Sequence, residues 1–95
     1  MLRLFFRAIC LGTVTDAEID WPWTRGAFAP NKAAARFADL LAWHADETRA
    51  AEETPPFDRD LLDEANWTVM DDDGRSLGIT VPGVRPDGTI AWRWR

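Results

Sequence analysis

One stretch of helical periodicity, enclosed between prolines, constrains the fold of this chain more than any other feature. Its side chains recur at three- and four-residue spacing and form one stripe, which comprises Ala33, Phe37, Leu40, Leu41, His44 and Thr48. Pro30 or Asn31 supplies the chemistry of a helix start, and Pro55-Pro56 stops the helix. The pattern predicts a helix from about Pro30 to Glu53, roughly 34 Å long at 1.5 Å per residue. We expect Phe37, Leu40 and Leu41 to be buried in it.

Patterns typical of strands flank this helix on both sides. Residues 2–11 alternate up to Gly12, and a second extended segment, residues 13–21, places Ala17, Ile19 and Trp21 on one face. After the helix, residues 58–65 form a short second helix. Three strands follow, at residues 67–70, 77–81 and 89–95, separated by an Asp-Gly turn at 71–74 and a loop at 82–88.

The resulting order, β-β-α-α-β-β-β, predicts the α+β class. A chain of 95 residues is long enough for one domain, so residues 1–95 are expected to form a single unit. The most economical architecture is a mostly antiparallel sheet of about five strands, with the long helix packed across one face. Six Trp and five Phe supply a large share of the core.

The composition excludes several classes of site. One Cys and one His rule out a disulfide framework and almost every structural zinc site. The Asp71–Asp73 run lacks the acidic residues that a calcium loop needs at Val69 and Thr80. We therefore expect neither a metal nor another cofactor.

The amino-terminal segment does not match a secretory signal, because Arg7 interrupts its apolar run. No stretch reaches the roughly 20 apolar residues of a membrane span. The high ratio of Arg to Lys, together with many Ala, is typical of a GC-rich bacterial gene. We expect a cytoplasmic protein without membrane contact.

The segment Trp21–Pro30 contains two prolines and a glycine, and the pattern predicts an aromatic loop. Such a loop either plugs the open side of the sheet or forms a recognition surface. In the second case its partner-binding residues are Trp21, Trp23, Arg25 and Phe28. Trp21 is predicted to be anchored in the core and Trp23 to be the more exposed of the two tryptophans.

Acidic charge is concentrated in residues 46–73, which carry eleven acidic and two basic residues, a net charge of −9. Either this is a solubilising surface or it binds a basic partner, and it argues against direct binding of nucleic acid through that face. The candidate acidic surface comprises Asp46, Glu47, Glu52, Glu53, Asp58, Asp60, Asp63 and Glu64.

No paired catalytic groups stand out, so the leading hypothesis is a small non-enzymatic protein-interaction module. An acidic inhibitor or immunity-type protein, which binds a basic toxin or nuclease, is a specific alternative. A small-ligand-binding or enzymatic domain is another, with a cleft lined by Trp21, Trp23, Arg25 and His44. His44 itself is expected at the core or its edge, because it lies on the helical stripe.

Overall fold

The computed structural model of the protein describes residues 1–46 and 57–95. Within them, seven antiparallel strands form one sheet of order β5-β4-β1-β2-β3-β7-β6. The strands are β1 (Leu2–Phe6), β2 (Ile9–Asp20), β3 (Trp23–Pro30), β4 (Trp67–Met70), β5 (Ser76–Gly78), β6 (Gly83–Val84) and β7 (Thr89–Arg93). A 3₁₀ helix (Lys32–Phe37) runs into α1 (Ala38–Ala45), and α2 (Arg59–Leu62) precedes a second 3₁₀ helix (Glu64–Asn66).

The sheet curls into a half-barrel. An isolated bridge pairs Ile79, just beyond β5, with Trp94, just beyond β7. The amide of Thr80 donates to the carbonyl of Arg93 at 2.9 Å, and that of Arg95 donates to Gly78 at 3.2 Å. These bonds join the segment that follows β5 to the end of β7. They therefore satisfy backbone groups that would otherwise be unpaired at an edge of the sheet.

The predicted α+β architecture, with about five strands and a long helix across one face, is wrong. Strands make up 48% of the structure, and the helical segment 32–45 has 14 residues. The main error is the aromatic loop, because most of it forms β3 between β2 and β7. Its two prolines do not interrupt this ladder: Pro22 precedes the strand and Pro30 is its last residue. Gly26 fits because an added Cβ would lie 2.6 Å from Val14 Cγ1.

The amino-terminal strands also divide differently from the prediction. The chain turns at Arg7 and Ala8, not at Gly12, and Arg7 takes a left-handed φ of 53°. Gly12 lies inside β2 with a φ of 147°, where the register of the β1–β2 ladder shifts. A second irregularity follows Thr15, where Asp16 has a φ of 54°. Such bulges change which face later side chains occupy, so simple alternation fails along β2.

The helical segment starts where the sequence predicts, since the Asn31 side chain accepts from the amide of Ala34 at 3.2 Å. Phe37, Leu40 and Leu41 are buried, as predicted. The predicted stripe is out of phase at both ends: Ala34 and Trp43 are buried, whereas His44 is exposed. The first six helical residues have a 3₁₀ period of three, which aligns residues 34, 37 and 40. The helix ends at Ala45. The last part of the predicted helix, residues 47–53, lies outside the residues that the structure describes.

The core fills the concave side of the half-barrel beneath the helical segment. Phe6, Phe37 and Trp67 form an aromatic cluster, with centroid separations of 5.1 Å from Phe6 to each of the other two rings. Trp92 and Ile90 from β7 are fully buried beside it, as their inward alternation predicts. Gly83 on β6 lets the helix approach closely, because an added Cβ would lie 2.8 Å from the Cα of Ala45.

Candidate functional site

Three large apolar side chains that are exposed lie together at the end of the β2–β3 hairpin. Trp21 is 82% exposed, Ile19 is 70% exposed and Trp23 is 40% exposed. β1 pairs with β2 only as far as Val14, so the later part of β2 has β3 on one side and no other strand in the described residues. The later part of β2 is therefore an open edge within the described part of the sheet, and Ile19 and Trp21 remain uncovered there, whereas β3 is paired on both sides. We call residues 19–23 the hairpin tip.

The sequence-based assignment of these two tryptophans is the reverse of what the structure contains: Trp21 is the exposed one and Trp23 is partly covered. Trp23 pairs with Arg93 across the β3–β7 ladder, and the Arg93 guanidinium carbon lies 5.5 Å from the centre of its ring. That geometry is a cation–π contact. Trp21 lies in the turn between the strands, where no neighbouring strand covers it.

A shallow depression joins the hairpin tip to the carboxyl end of the chain. Its lining consists of Trp21, Pro22, Glu64, Thr80, Arg93, Trp94 and Arg95. The Arg95 guanidinium donates to the carbonyls of Ile79 at 2.8 Å and Trp67 at 3.1 Å, which holds this end of the chain in place. The surface thus combines exposed tryptophan with arginine.

Trp23, Arg25 and His44 lie together in a separate cavity of about 140 Å³, with Arg85 in the same wall. Trp21 does not line it. The Arg25 guanidinium lies 3.2 Å from the carboxylate of Asp20, and both side chains are well exposed to solvent. Partial desolvation lowers the pKa of His44 from its ordinary value, and the negative charge of Glu64 opposes that change. Although the residue as a whole is exposed, packing beside Trp43 shields part of its ring.

Phe28, the fourth predicted partner-binding residue, lies away from the hairpin tip. It is half-buried against the core and borders an apolar groove beside the helix. Thr24, which lies between Trp23 and Arg25, is buried, and its hydroxyl has no hydrogen-bond partner in the described part of the chain. The four predicted residues therefore do not form one surface.

The five residues of the candidate acidic surface that the structure describes are all exposed: Asp46, Asp58, Asp60, Asp63 and Glu64. Asp60 lies 3.1 Å from the Arg7 guanidinium, and Asp63 accepts from the amide of Ala65. Glu47, Glu52 and Glu53 lie outside the described residues.

Sequence reasoning missed Ile19 and Arg93 as parts of this surface. The sequence predicts Ile19 on the same face as Trp21, which it predicts to be anchored in the core, and it gives Arg93 no part in a binding surface. No local signal brings the end of β7 next to a hairpin some 70 residues earlier, because that proximity depends on the β3–β7 pairing. Within residues 1–46 and 57–95, no group of three or more His, Cys, Asp or Glu is placed to hold a metal ion.

No protein-family model, curated protein sequence or solved structure matches the chain. None of the helices in the described ranges is long and apolar enough to cross a membrane.

Proposed function

We propose that the protein is a protein-interaction module whose contact surface is the hairpin tip together with Arg93 and Trp94. The observation that carries this proposal is the exposure of three large apolar side chains, Ile19, Trp21 and Trp23, within five residues at one end of the β2–β3 hairpin. Ile19 pairs with Thr24 and Trp23 pairs with Asp20, so Ile19 and Trp23 lie on opposite faces, with Trp21 in the turn between them. Large apolar side chains that are grouped and exposed in this way mark binding sites.

The chemistry of the patch suits a protein partner. Tryptophan and arginine are the residues that most often dominate the binding energy of protein interfaces. Arg93 already stacks on Trp23, so its guanidinium is positioned before the partner arrives. The partner surface that fits is an apolar pocket for Trp21, bordered by carboxylates facing the arginines.

The direct test compares Trp21→Ala with Leu77→Ala, a matched truncation of another partly exposed side chain that lies on β5. Affinity capture from a lysate of the source cells identifies candidate partners, and titration calorimetry with the purified partner measures the affinity. We expect Trp21→Ala to weaken binding by about 2 kcal/mol or more, roughly thirtyfold, while unfolding free energy changes by about 0.5 kcal/mol or less. Leu77→Ala leaves the affinity unchanged. Equal affinities of wild type and Trp21→Ala contradict the proposal.

The inhibitor or immunity-type alternative uses the acidic residues instead, and the same assay separates it. Binding of a basic partner through Asp58, Asp60, Asp63 and Glu64 weakens steeply as the salt concentration rises. The reason is that salt screens the attraction between exposed charges, whose range is about 8 Å at 0.15 M ionic strength. It also survives Trp21→Ala and fails in a variant in which Asp58, Asp60 and Asp63 are neutralised; Glu64 is kept, because it lines the same depression as Trp21. Binding through the hairpin tip is lost in Trp21→Ala and survives the neutralisation of those three acids.

A further inference from the structure

An apolar groove, separate from the Trp23 cavity and larger than it, lies beside the helical segment. It has a volume of about 610 Å³ and lies between the helical segment, the end of β3 and the turn that joins β6 to β7. Alanine and leucine side chains of the helix form one wall, and Phe28, Pro30, Val84 and Pro86 form much of the other. Ligand pockets in proteins typically span about 300–1,000 Å³ and have mostly apolar walls.

Among the described residues, Arg85 is the one charged side chain in the groove wall, and it also lines the smaller Trp23 cavity. Its guanidinium makes no ion pair with any carboxylate of the described residues. The carboxylate of Asp87 accepts from the amide of Thr89 at 2.9 Å, and this bond, together with the positive charge of Arg85, lowers the pKa of Asp87. The exposed guanidinium of Arg85 at the end of the groove thus has one carboxylate nearby but forms no ion pair with it, and it can face a further anion.

The other polar groups near the groove are already satisfied. The Asn31 side chain donates to the carbonyl of Cys10 and accepts from the amide of Ala34. The backbone amide of Gly88 donates to the backbone carbonyl of Arg85, and the carbonyl of Gly88 accepts from the backbone amide of Phe28. An occupant of the groove must thus be apolar along its length, and a single anionic group is what complements Arg85.

We infer that this groove binds a small aliphatic carboxylate, with its chain along the helix and its carboxylate at the Arg85 guanidinium. The site is separate from the hairpin tip: neither Trp21 nor Arg93 lines the groove. The inference therefore stands or falls independently of the proposed protein-interaction surface.

The test is titration calorimetry with decanoate below its micellar concentration, beside decanol as a probe with the same chain and no charge. Wild type binds one decanoate per chain with saturation. Ala38→Phe fills the groove and weakens both probes at least tenfold, whereas Ala29→Phe, the same change at an exposed alanine outside the groove wall, has no effect. Arg85→Ala weakens decanoate at least tenfold and decanol less than threefold. Its matched control is Arg75→Ala, an exposed turn arginine outside the groove, which changes neither.

Two further measurements keep the outcome decisive. Amide chemical-shift changes on adding decanoate are expected at Ala35, Ala38 and Gly88, a readout that does not depend on any variant folding. Phosphatidylserine–phosphatidylcholine vesicles and light scattering test the other occupants. The inference is overturned if decanoate does not saturate, if the control variants weaken it equally, or if Arg85→Ala leaves the preference for decanoate over decanol intact. It is also overturned if only vesicles bind, or if wild type dimerises through the groove and Ala38→Phe makes it monomeric.

Discussion

Replacing Gly83 by alanine tests how closely the helix packs on the half-barrel. Gly83 is buried on β6, and a Cβ at this position would lie 2.8 Å from the Cα, 2.9 Å from the N and 3.0 Å from the Cβ of Ala45. Two of these three atoms belong to the helix backbone, which cannot rotate away as a side chain can. The substitution therefore forces the carboxyl end of α1 away from β6.

The expected cost follows from two opposing effects. Overpacking a well-packed site typically costs about 1–3 kcal/mol. Alanine also restricts the unfolded chain relative to glycine, which returns about 0.4–1 kcal/mol. The net loss in the free energy of unfolding is therefore about 1–2 kcal/mol. For a domain of this size each kcal/mol corresponds to about 4–8 °C in melting temperature.

Urea denaturation and thermal melting, both followed by circular dichroism, measure the loss. Ala45→Gly, introduced into Gly83→Ala, removes only the Cβ at 3.0 Å and is expected to restore little stability, since the closer Cα and N remain. If Gly83→Ala is as stable as wild type, or if Ala45→Gly rescues it fully, the close helix–strand contact is refuted.

Three other outcomes are expected. Leu41→Ala lowers the free energy of unfolding, measured by urea denaturation, by about 2–5 kcal/mol. The control Asp39→Ala, at an exposed position of the same helix, changes it by about 0.5 kcal/mol or less. A loss below about 1 kcal/mol for Leu41→Ala contradicts the place of Leu41 in the core. Thr24→Val replaces a buried hydroxyl without a partner by a methyl group and raises stability by about 1 kcal/mol, so a destabilised variant would mean that the hydroxyl is paired. The lowered pKa of His44 means that the unfolded chain binds more protons just below the ordinary pKa of 6.5. Stability therefore rises with pH up to that value and levels off above it, and His44→Gln reduces the rise between pH 5.5 and 7.5; an unchanged slope would exclude His44 as its source.

Local patterns predicted some elements of this protein correctly because the forces that form them are local. Asn31 caps the helical segment through its own side chain, and the carboxylate of Asp71 organises the turn by accepting from the amides of Asp73 and Arg75. The strand Trp67–Met70 has the predicted bounds. Leu40 and Trp92 are buried where their periodicity places them.

Predictions failed where distant segments decide the outcome. The Trp21–Pro30 segment contains turn residues, yet β2 and β7 offer its backbone a ladder on both sides, and β3 forms. The candidate site shows the same division: the residue types of the aromatic segment were recognised, but the wrong tryptophan was assigned to the surface. The positions of two arginines also depend on the tertiary fold: Arg93 lies beside Trp23, and Arg85 lies at the groove.

The sequence by itself determined the helix start, the Asp71 turn, one strand and the burial of the central helix residues, because caps, turns and periodicity act over a few positions. Tertiary structure alone decided the curl of the sheet and the positions of its bulges, since both depend on the register between strands. It also decided the exposure of Trp21, where β1 ends before the hairpin does. The groove at Arg85 also depends on the tertiary structure. The end of α1 packs closely on β6 at Gly83, whereas the earlier part of the helical segment and the β6–β7 turn are separated by the groove.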